Sequence, residues 1–428
     1  MTLPSLLGKR RLNILMISLW DFQENGMQVT LRTPLYFAER GHHVRFLVHP
    51  EATAIPSPLV NLHPNLSVVR FDLPFKWLGR IPSLRRPRQF LFFLVACLAY
   101  TLRHCRGTYS PDVIYAAEAD AVLIGSLLRR LFRVPLVTRF YGIARIAAHY
   151  DAERRSLRRI GRRHLLSRLA LTRRADMVIV TNDGTNGKEI TECLNPGGVN
   201  VRFWTNGVDR VELPAGSNQS LKETLKIAPS DVVLLTLCRL DPMKRVDRAI
   251  RALPRIRQAV TGNVRLVVAG DGSERDSLLN LAHELGVDDS TIFVGKVHHR
   301  DVYAFYSACD IFLSLYDGSN VGNPLWEALN AGCCIVTLDT GQTGQVIVNG
   351  RNGILLDADA DDRITADRIA RAVTDLVDDP SLRARLATGA RLYAEGNLWS
   401  WDDRLQAETE AIEDLVTAAQ AGSEEAMN

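Results

Sequence analysis

The sequence predicts an α/β chain made of two doubly wound parallel sheets, and three observations carry that prediction. At 428 residues the chain exceeds one ordinary core. Short apolar runs alternate with amphipathic stretches along most of its length, as buried parallel strands and their helical crossovers do. The alternation breaks at the turn signal Asn206-Gly207-Val208-Asp209, stays irregular and polar to Ser230, and then restarts. A hydrophobic content of 46% with 23% charged residues fits folded cores. The expected domains are 1–207 and 208–395, with a terminal segment at 396–428.

In the first half, Leu12 to Ser18 reads as a strand. A loop through Glu24-Asn25-Gly26 follows, then a helix to Arg40 that stops at Gly41. Val44 to Val48, Pro111 to Tyr115, Val134 to Thr138, Asp176 to Thr181 and Val201 to Trp204 read as strands, with a helix over Ala119 to Phe132. Phe90 to Leu102 is almost wholly apolar, flanked by Arg85, Arg86, Arg88, Arg103 and Arg106. Thirteen residues are too few to span a bilayer. This segment is either a buried helix or one lying among lipid headgroups.

In the second half, strands are expected at Val232 to Leu237, Val264 to Ala269, Thr291 to Val294, Ile311 to Leu315, Ile335 to Leu338 and Gly353 to Leu356. Helices are expected over Val246 to Val260, from Gly270-Asp271-Gly272 to Leu285, and over Val302 to Ala308. Asp362 to Glu395 reads as one helix, and Trp399-Ser400-Trp401 opens a last one to about Ala418.

Charge is divided unevenly. Residues 1–205 hold 30 Lys and Arg against 14 Asp and Glu, or +16, while the remainder holds 22 against 34, or −12. A basic half suits a polyanion or an anionic membrane, or is simply a solvated surface. No interleaved aromatic and basic motif supports nucleic acid. Met1 to Arg11 lacks the apolar core of a signal peptide. The seven scattered cysteines show no metal-ligand spacing, so a reducing cytoplasm without disulfides or zinc is expected.

The most informative stretch is Ser319-Asn320-Val321-Gly322-Asn323-Pro324-Leu325-Trp326-Glu327, which joins an expected strand to a helix. Such a loop sets backbone N–H groups and a helix N-terminus against an anion. Glu327 falls one or two turns along, where a carboxylate suits a sugar hydroxyl. Phosphate near the amides and hydroxyls near the carboxylate together suggest a nucleotide-sugar. The other reading is an ordinary loop with a solvated glutamate. Arg239 and Lys244 follow a strand and suit a diphosphate, one as a fork and one as a point charge. Gly270 with Asp271-Gly272 is a weak phosphate-loop signal. Gly295 and Val297 follow a strand where backbone can meet a base edge. Gly26, Glu118 and Tyr141-Gly142 also lie at strand ends, each as readily structural as functional. His149 reads as a satisfied or solvated histidine.

In order and spacing, Leu237 to Arg245, Gly270-Asp271-Gly272, Phe293 to Val297 and Gly322 to Ala328 resemble the retaining family-4 glycosyltransferases, of the glycosyl transferases group 1. The resemblance spans nearly the whole chain and is most specific in its second half. It implies the GT-B architecture: two facing Rossmann-like domains and a C-terminal helix that crosses back to the first. It implies that Arg239 and Lys244 hold the donor diphosphate and stabilise the leaving nucleoside diphosphate, with no metal and no cofactor. Glu327 would accept from the ribose hydroxyls. Ser319 and the backbone of Asn320, Val321, Gly322, Asn323, Pro324 and Leu325 would meet the sugar and phosphates. Gly26, Tyr141, Gly270, Gly295 and Val297 complete the donor side, with Glu118 and Arg139 toward the acceptor. Three positions depart from the family pattern. Ser319 stands where a glutamate is usual, with Asp317 two residues out of register. Cys238 stands for a glycine, and Tyr141-Gly142 for His-Gly.

The expected activity is retaining, metal-independent transfer from a nucleotide diphosphate sugar to a lipid-linked or glycan acceptor, in polysaccharide or cell-envelope assembly. The expected location is the inner face of the cytoplasmic membrane, reached through the basic first half. A nucleotide-sugar epimerase, or a non-catalytic homologue acting as an assembly partner, stays open at this level.

Overall fold

The computed structural model describes residues 10–18, 28–48, 63–71, 82–105, 107–147, 149–151, 156–157, 165–195, 198–210 and 216–425. The chain divides into two compact units. Unit 1 is Met1–Thr181, Asn186–Trp204 and Asp403–Asn428; unit 2 is Asn182–Thr185 and Thr205–Asp402.

Unit 1 begins with β1 (Asn13–Ser18), α1 (Gln28–Glu39), β2 (His43–Val48), β3 (Leu66–Arg70) and α2 (Pro82–His104). It continues with β4 (Val113–Ala117), α3 (Glu118–Phe132), β5 (Leu136–Phe140), α4 (Ala144–Ala147) and a small hairpin of β6 (Tyr150–Asp151) and β7 (Ser156–Leu157). Next come α5 (Leu165–Leu171), β8 (Met177–Thr181), α6 (Gly187–Leu194) and β9 (Asn200–Trp204). Seven strands form one parallel sheet in the order β3-β2-β1-β4-β5-β8-β9. The runs Ile14–Ile17 and Val113–Ala117 are buried on both faces, which is why they read as continuous apolar strands rather than alternating ones. β3 escapes the sequence reading because it is an edge strand with only Leu66 buried.

Unit 2 holds α7 (Ser217–Thr224), β10 (Val232–Leu237), α8 (Val246–Ala259), β11 (Val264–Ala269), α9 (Arg275–Glu284) and β12 (Thr291–Gly295). It continues with α10 (Val302–Ala308), β13 (Ile311–Ser314), α11 (Asn323–Ala331), β14 (Cys334–Leu338), β15 (Ile354–Leu356), α12 (Asp362–Asp378) and α13 (Pro380–Asn397). Its six-stranded parallel sheet runs β12-β11-β10-β13-β14-β15.

Two expectations need correcting here. The polar stretch before Ser230 contains a helix, α7, whose Leu221 packs on the core. Asp362 to Glu395 is two helices, because Pro380 cannot continue the first one. Asp379 then caps the second by accepting from Leu382 N at 2.9 Å.

The last helix, α14 (Trp401–Glu425), is part of unit 1 from Asp403 onward. Ile412 and Val416 pack with Phe37 of α1 against one sheet face, while α2, α3 and α5 cover the other. A buried polar cluster fixes α14. Glu408, 1% exposed, takes the Tyr115 hydroxyl at 2.5 Å and the Arg404 guanidinium at 2.7 Å. Arg404 lies 4.5 Å from the Trp204 ring centroid. Burial alone would raise the Glu408 carboxyl pKa; the Arg404 and Arg139 charges and the Tyr115 bond outweigh it and hold it below the ordinary range.

Candidate active site

In unit 2 the strand order reverses between β10 and β13, with β11 and β12 to one side and β14 and β15 to the other. Open α/β sheets bind ligands outside the carboxyl ends of their strands at that reversal. The loop after β10 carries Arg239 and Lys244, and the loop after β13 carries residues 315–322. The two loops are stitched together. Asp317 N donates to Met243 O at 3.1 Å, and Lys244 Nζ sits 3.8 Å from the Tyr316 ring centroid. Arg239 is 73% exposed and pairs with Asp241 at 2.7 Å. Burial draws the Lys244 ammonium below the ordinary lysine range, and the Arg239 charge adds to that. Two cations that share one carboxylate, Asp241, at a switch point are suited to an incoming polyanion.

The segment after β13 is organised by Asn320, which is 1% exposed. Its Oδ1 accepts from Ser314 Oγ and Tyr316 N, both at 2.9 Å. Its Nδ2 donates to Leu338 O at 3.0 Å and Thr340 Oγ1 at 2.8 Å. All of its amide capacity is committed inside, so Asn320 shapes the loop and its side chain does not reach a ligand. Val321 and Leu325 are core residues, and Pro324 contributes its carbonyl to Tyr306. Asn323 is exposed, and its Oδ1 accepts from Asn206 at 2.9 Å. What Gly322, at the N-cap of α11, and Leu325, in its first turn, can offer a ligand is backbone, because the first-turn N–H groups of a helix have no intrahelical acceptor.

Glu327 is half-buried on α11, and its Oε2 accepts from the Tyr306 hydroxyl at 3.0 Å. Tyr306 itself is 1% exposed. The sequence reading missed this positioning residue: it looks like ordinary core in an apolar helix, and its partner lies 21 positions away. Removing the hydroxyl in Tyr306→Phe is expected to raise KM for the donor about tenfold with little change in kcat, the scale of one hydrogen bond to a charged group. Steady-state kinetics with varied donor would check it.

Ser319 stands in a cramped place. Its Oγ accepts from Val321 N at 3.1 Å. A Cβ on Gly184 would fall 2.1 Å from that Oγ and 2.6 Å from Val321 Cβ, and a Cβ on Gly341 would fall 2.8 Å from Ser319 Cβ. Both glycines also have positive φ, +72° and +59°. Gln342 N donates to Gly184 O at 2.9 Å, locking the two loops. Asp317 does not replace the missing glutamate, because Arg248 takes it at 2.9 Å and Arg245 at 3.4 Å. Gly184→Ala is expected to displace the 319–321 backbone and weaken donor affinity about tenfold or more while the chain stays folded, as small misplacements at a binding site do. Calorimetry with a nucleotide-sugar would read this.

The glycines after β11 serve packing. A Cβ on Gly270 would lie 1.8 Å from Cys238 O, and one on Gly272 would lie 2.4 Å from Leu240 O. Their bareness lets this loop press on the loop that carries Arg239, which is an indirect role rather than a phosphate cradle. Gly295 ends β12 with φ +78° beside a register shift, and Gly270 N donates to its carbonyl at 2.8 Å. Val297 is half-buried against the core.

In unit 1 the order reverses between β1 and β4. Gly26 lies outside the described residues. Glu118, first residue of α3, has φ +68°, a strained value for a non-glycine. Its carboxylate accepts from Tyr141 N at 2.8 Å and so ties the ends of β4 and β5. Arg139 is 1% exposed, 5.4 Å from the Tyr141 ring centroid. Its charge supports buried Glu408, which places it in the packing of α14 rather than on an open acceptor surface.

Residues 217–393 match the family model of the glycosyl transferases group 1. The chain carries a glycosyltransferase domain. That domain contains Arg239, Lys244, Ser319 to Leu325 and Glu327. Among curated relatives, a glycogen synthase of Mycobacterium tuberculosis is 28% identical over 284 residues, 66% of this chain and 64% of the synthase. The chain thus spans less than two thirds of that relative's length. A D-inositol 3-phosphate glycosyltransferase of Saccharomonospora viridis is 27% identical over 413 residues, covering 92% and 90% of the two chains. Among solved structures, the sucrose-phosphate synthase of Thermosynechococcus elongatus has a TM-score of 0.74 at 18% identity, over 95% of this chain and all of that one. HepE of Anabaena, solved with UDP-glucose, has a TM-score of 0.69 at 19% identity, over 94% and 100%. At these identities the structural likeness establishes the fold alone, a two-domain Rossmann-like α/β architecture of the GT-B type.

Proposed function

We propose that this glycosyltransferase moves a sugar from a nucleoside diphosphate sugar to a lipid-linked or glycan acceptor, with retention and without a metal. The observation that carries the reading is the stitching of the two strand-end loops at the unit 2 switch point. It sets Arg239 and Lys244 beside the segment that leads to the α11 N-terminus and the Tyr306-held Glu327. Arg239 and Lys244 neutralise the charge that develops on the departing diphosphate. Glu327 accepts from ribose hydroxyls. The bond from the anomeric carbon to phosphate oxygen breaks as the acceptor oxygen bonds on the same face, and the acceptor proton passes to the departing phosphate. HepE, crystallised with UDP-glucose, and the glycosyltransferase names among the relatives support a donor of this kind. The excess of 30 basic over 14 acidic residues in positions 1–205 supports an acceptor at an anionic membrane.

The test is release of nucleoside diphosphate from a panel of nucleotide-sugars, with and without lipid extract, and proton NMR of the product. Acceptor-dependent release with the donor's anomeric configuration kept is the expected result. Interconversion of the donor sugar without transfer would make the protein an epimerase.

A further inference from the structure

We propose that the outer face of α2, α3 and α5 in unit 1 docks this enzyme on an anionic lipid bilayer. The inference rests on the membrane reading above and gives it a surface. α2 turns Phe93, Cys97 and Thr101 inward, at helical spacing, and all three are fully buried. The opposite stripe is also apolar: Leu91 is 60% exposed, Val95 56% and Leu102 39%. No charged residue interrupts it between Gln89 and Arg103. A helix on a soluble surface ordinarily turns a polar face outward. The neighbouring α3 exposes Leu127 and Leu131, and α5 beyond it exposes Leu165 and Leu169. These helices pack side by side over one sheet face, so their exposed apolar residues lie on the same side of unit 1.

Charge identifies the occupant. α2, α3 and α5 each lead into a parallel strand, so their C-termini gather at the amino edge of the sheet. Arg103, Arg130, Arg133, Arg173 and Arg174 are exposed there. One cation per helix end would complement the helix dipole; five make a basic rim. Two carboxylates at this edge are already engaged, Asp112 by Arg10 at 2.9 Å and Asp176 by Arg129 at 3.1 Å, which leaves Glu192 of α6 as an exposed acid against the five arginines. Beyond the first turn of α3, the three helices contain no Asp or Glu. A second copy meeting this face about a two-fold axis would bring the same cations and little counter-charge. A bilayer of anionic lipid offers both acyl boundary and negative headgroups.

The test is co-sedimentation with vesicles of phosphatidylserine and phosphatidylcholine, against phosphatidylcholine alone. Binding to the anionic vesicles at low salt, and about tenfold weaker binding in 0.5 M salt, is expected. Leu91→Glu with Val95→Glu should weaken binding about tenfold or more, with the thermal transition unchanged because both positions are exposed. Arg103→Ser, Arg130→Ser and Arg173→Ser together should remove most of the salt-sensitive part. No binding to anionic vesicles, or both variants binding like the parent, would overturn the proposal. So would a dimer in sedimentation velocity that Leu91→Glu with Val95→Glu dissolves, if vesicle binding is absent. The Arg239→Ala, Lys244→Ala protein keeps the two claims apart, since it should bind vesicles normally. A parent protein that turns over no donor yet binds through this face would sink the donor reading and leave the docking surface standing.

Discussion

Replacing Arg239 and Lys244 together with alanine is expected to lower kcat/KM for donor turnover by about 10³-fold or more. Both follow β10 at the switch point, and neither holds up the core: Arg239 is exposed, and Lys244 rests its ammonium over the Tyr316 ring. The melting temperature should therefore barely move, which separates lost chemistry from lost folding. Lys244→Arg should recover only part of the rate, because a planar fork does not reproduce a point charge over Tyr316. Burial lowers the Lys244 pKa, so the alkaline limb of kcat/KM should begin below the ordinary lysine value of about 10.4. Bound diphosphate favours the charged form, so the limb in kcat should lie higher. A double variant that turns over donor at near the parental rate would remove Arg239 and Lys244 from the mechanism.

The largest stability effect is expected at Glu408. Glu408→Ala leaves the Arg404 and Arg139 guanidiniums buried with their shared carboxylate gone, at 1% exposure each. Removing one partner from such a buried set costs about 3–5 kcal/mol, a fall of roughly 10 °C in the unit 1 transition. Glu408→Gln should lose less, since the amide oxygen can still accept from Tyr115 or Arg404. The pH dependence follows from the sign of the shift. The folded carboxyl sits below its unfolded value, so its contribution is present above about pH 4.3 and is lost as pH falls through the lower folded value. Glu408→Gln should lack that acid limb. Thermal melts from pH 3 to 7 would show both effects.

The strands were the most legible feature of the sequence. Parallel strands buried on both faces write themselves as unbroken apolar runs, and β10, β11 and β13 are of that kind. β3 is an edge strand and has no such signature. The split at Pro380 had a local signal, an aspartate before a proline, hidden by amphipathic pattern on both sides. Residue types at the site were legible for the same local reason: Arg239, Lys244 and Glu327 sit at strand ends or early in a helix. Their supports were not. Tyr306 reaches Glu327, Asn320 binds carbonyl and hydroxyl groups around β14, and Gly270 is bare because Cys238 O lies against it. Each of those contacts joins positions 18 to 32 residues apart, and no periodicity encodes them. Arg139 shows the opposite failure. Its place at a strand end suggested an open site, while the long-range return of α14 makes it a buried counter-charge.

The proposed transfer turns on whether the switch point of unit 2 binds a nucleoside diphosphate through Arg239, Lys244 and Glu327. Thermal unfolding with and without a panel of nucleoside diphosphates measures it most directly. At a ligand concentration about 100 times Kd, binding should stabilise unit 2 by about 2.7 kcal/mol, a rise of several degrees. That rise should shrink in Tyr306→Phe and vanish in the Arg239→Ala, Lys244→Ala protein. A parent protein whose transition no nucleoside diphosphate moves, or a double variant that shifts as much as the parent, would contradict binding through these residues.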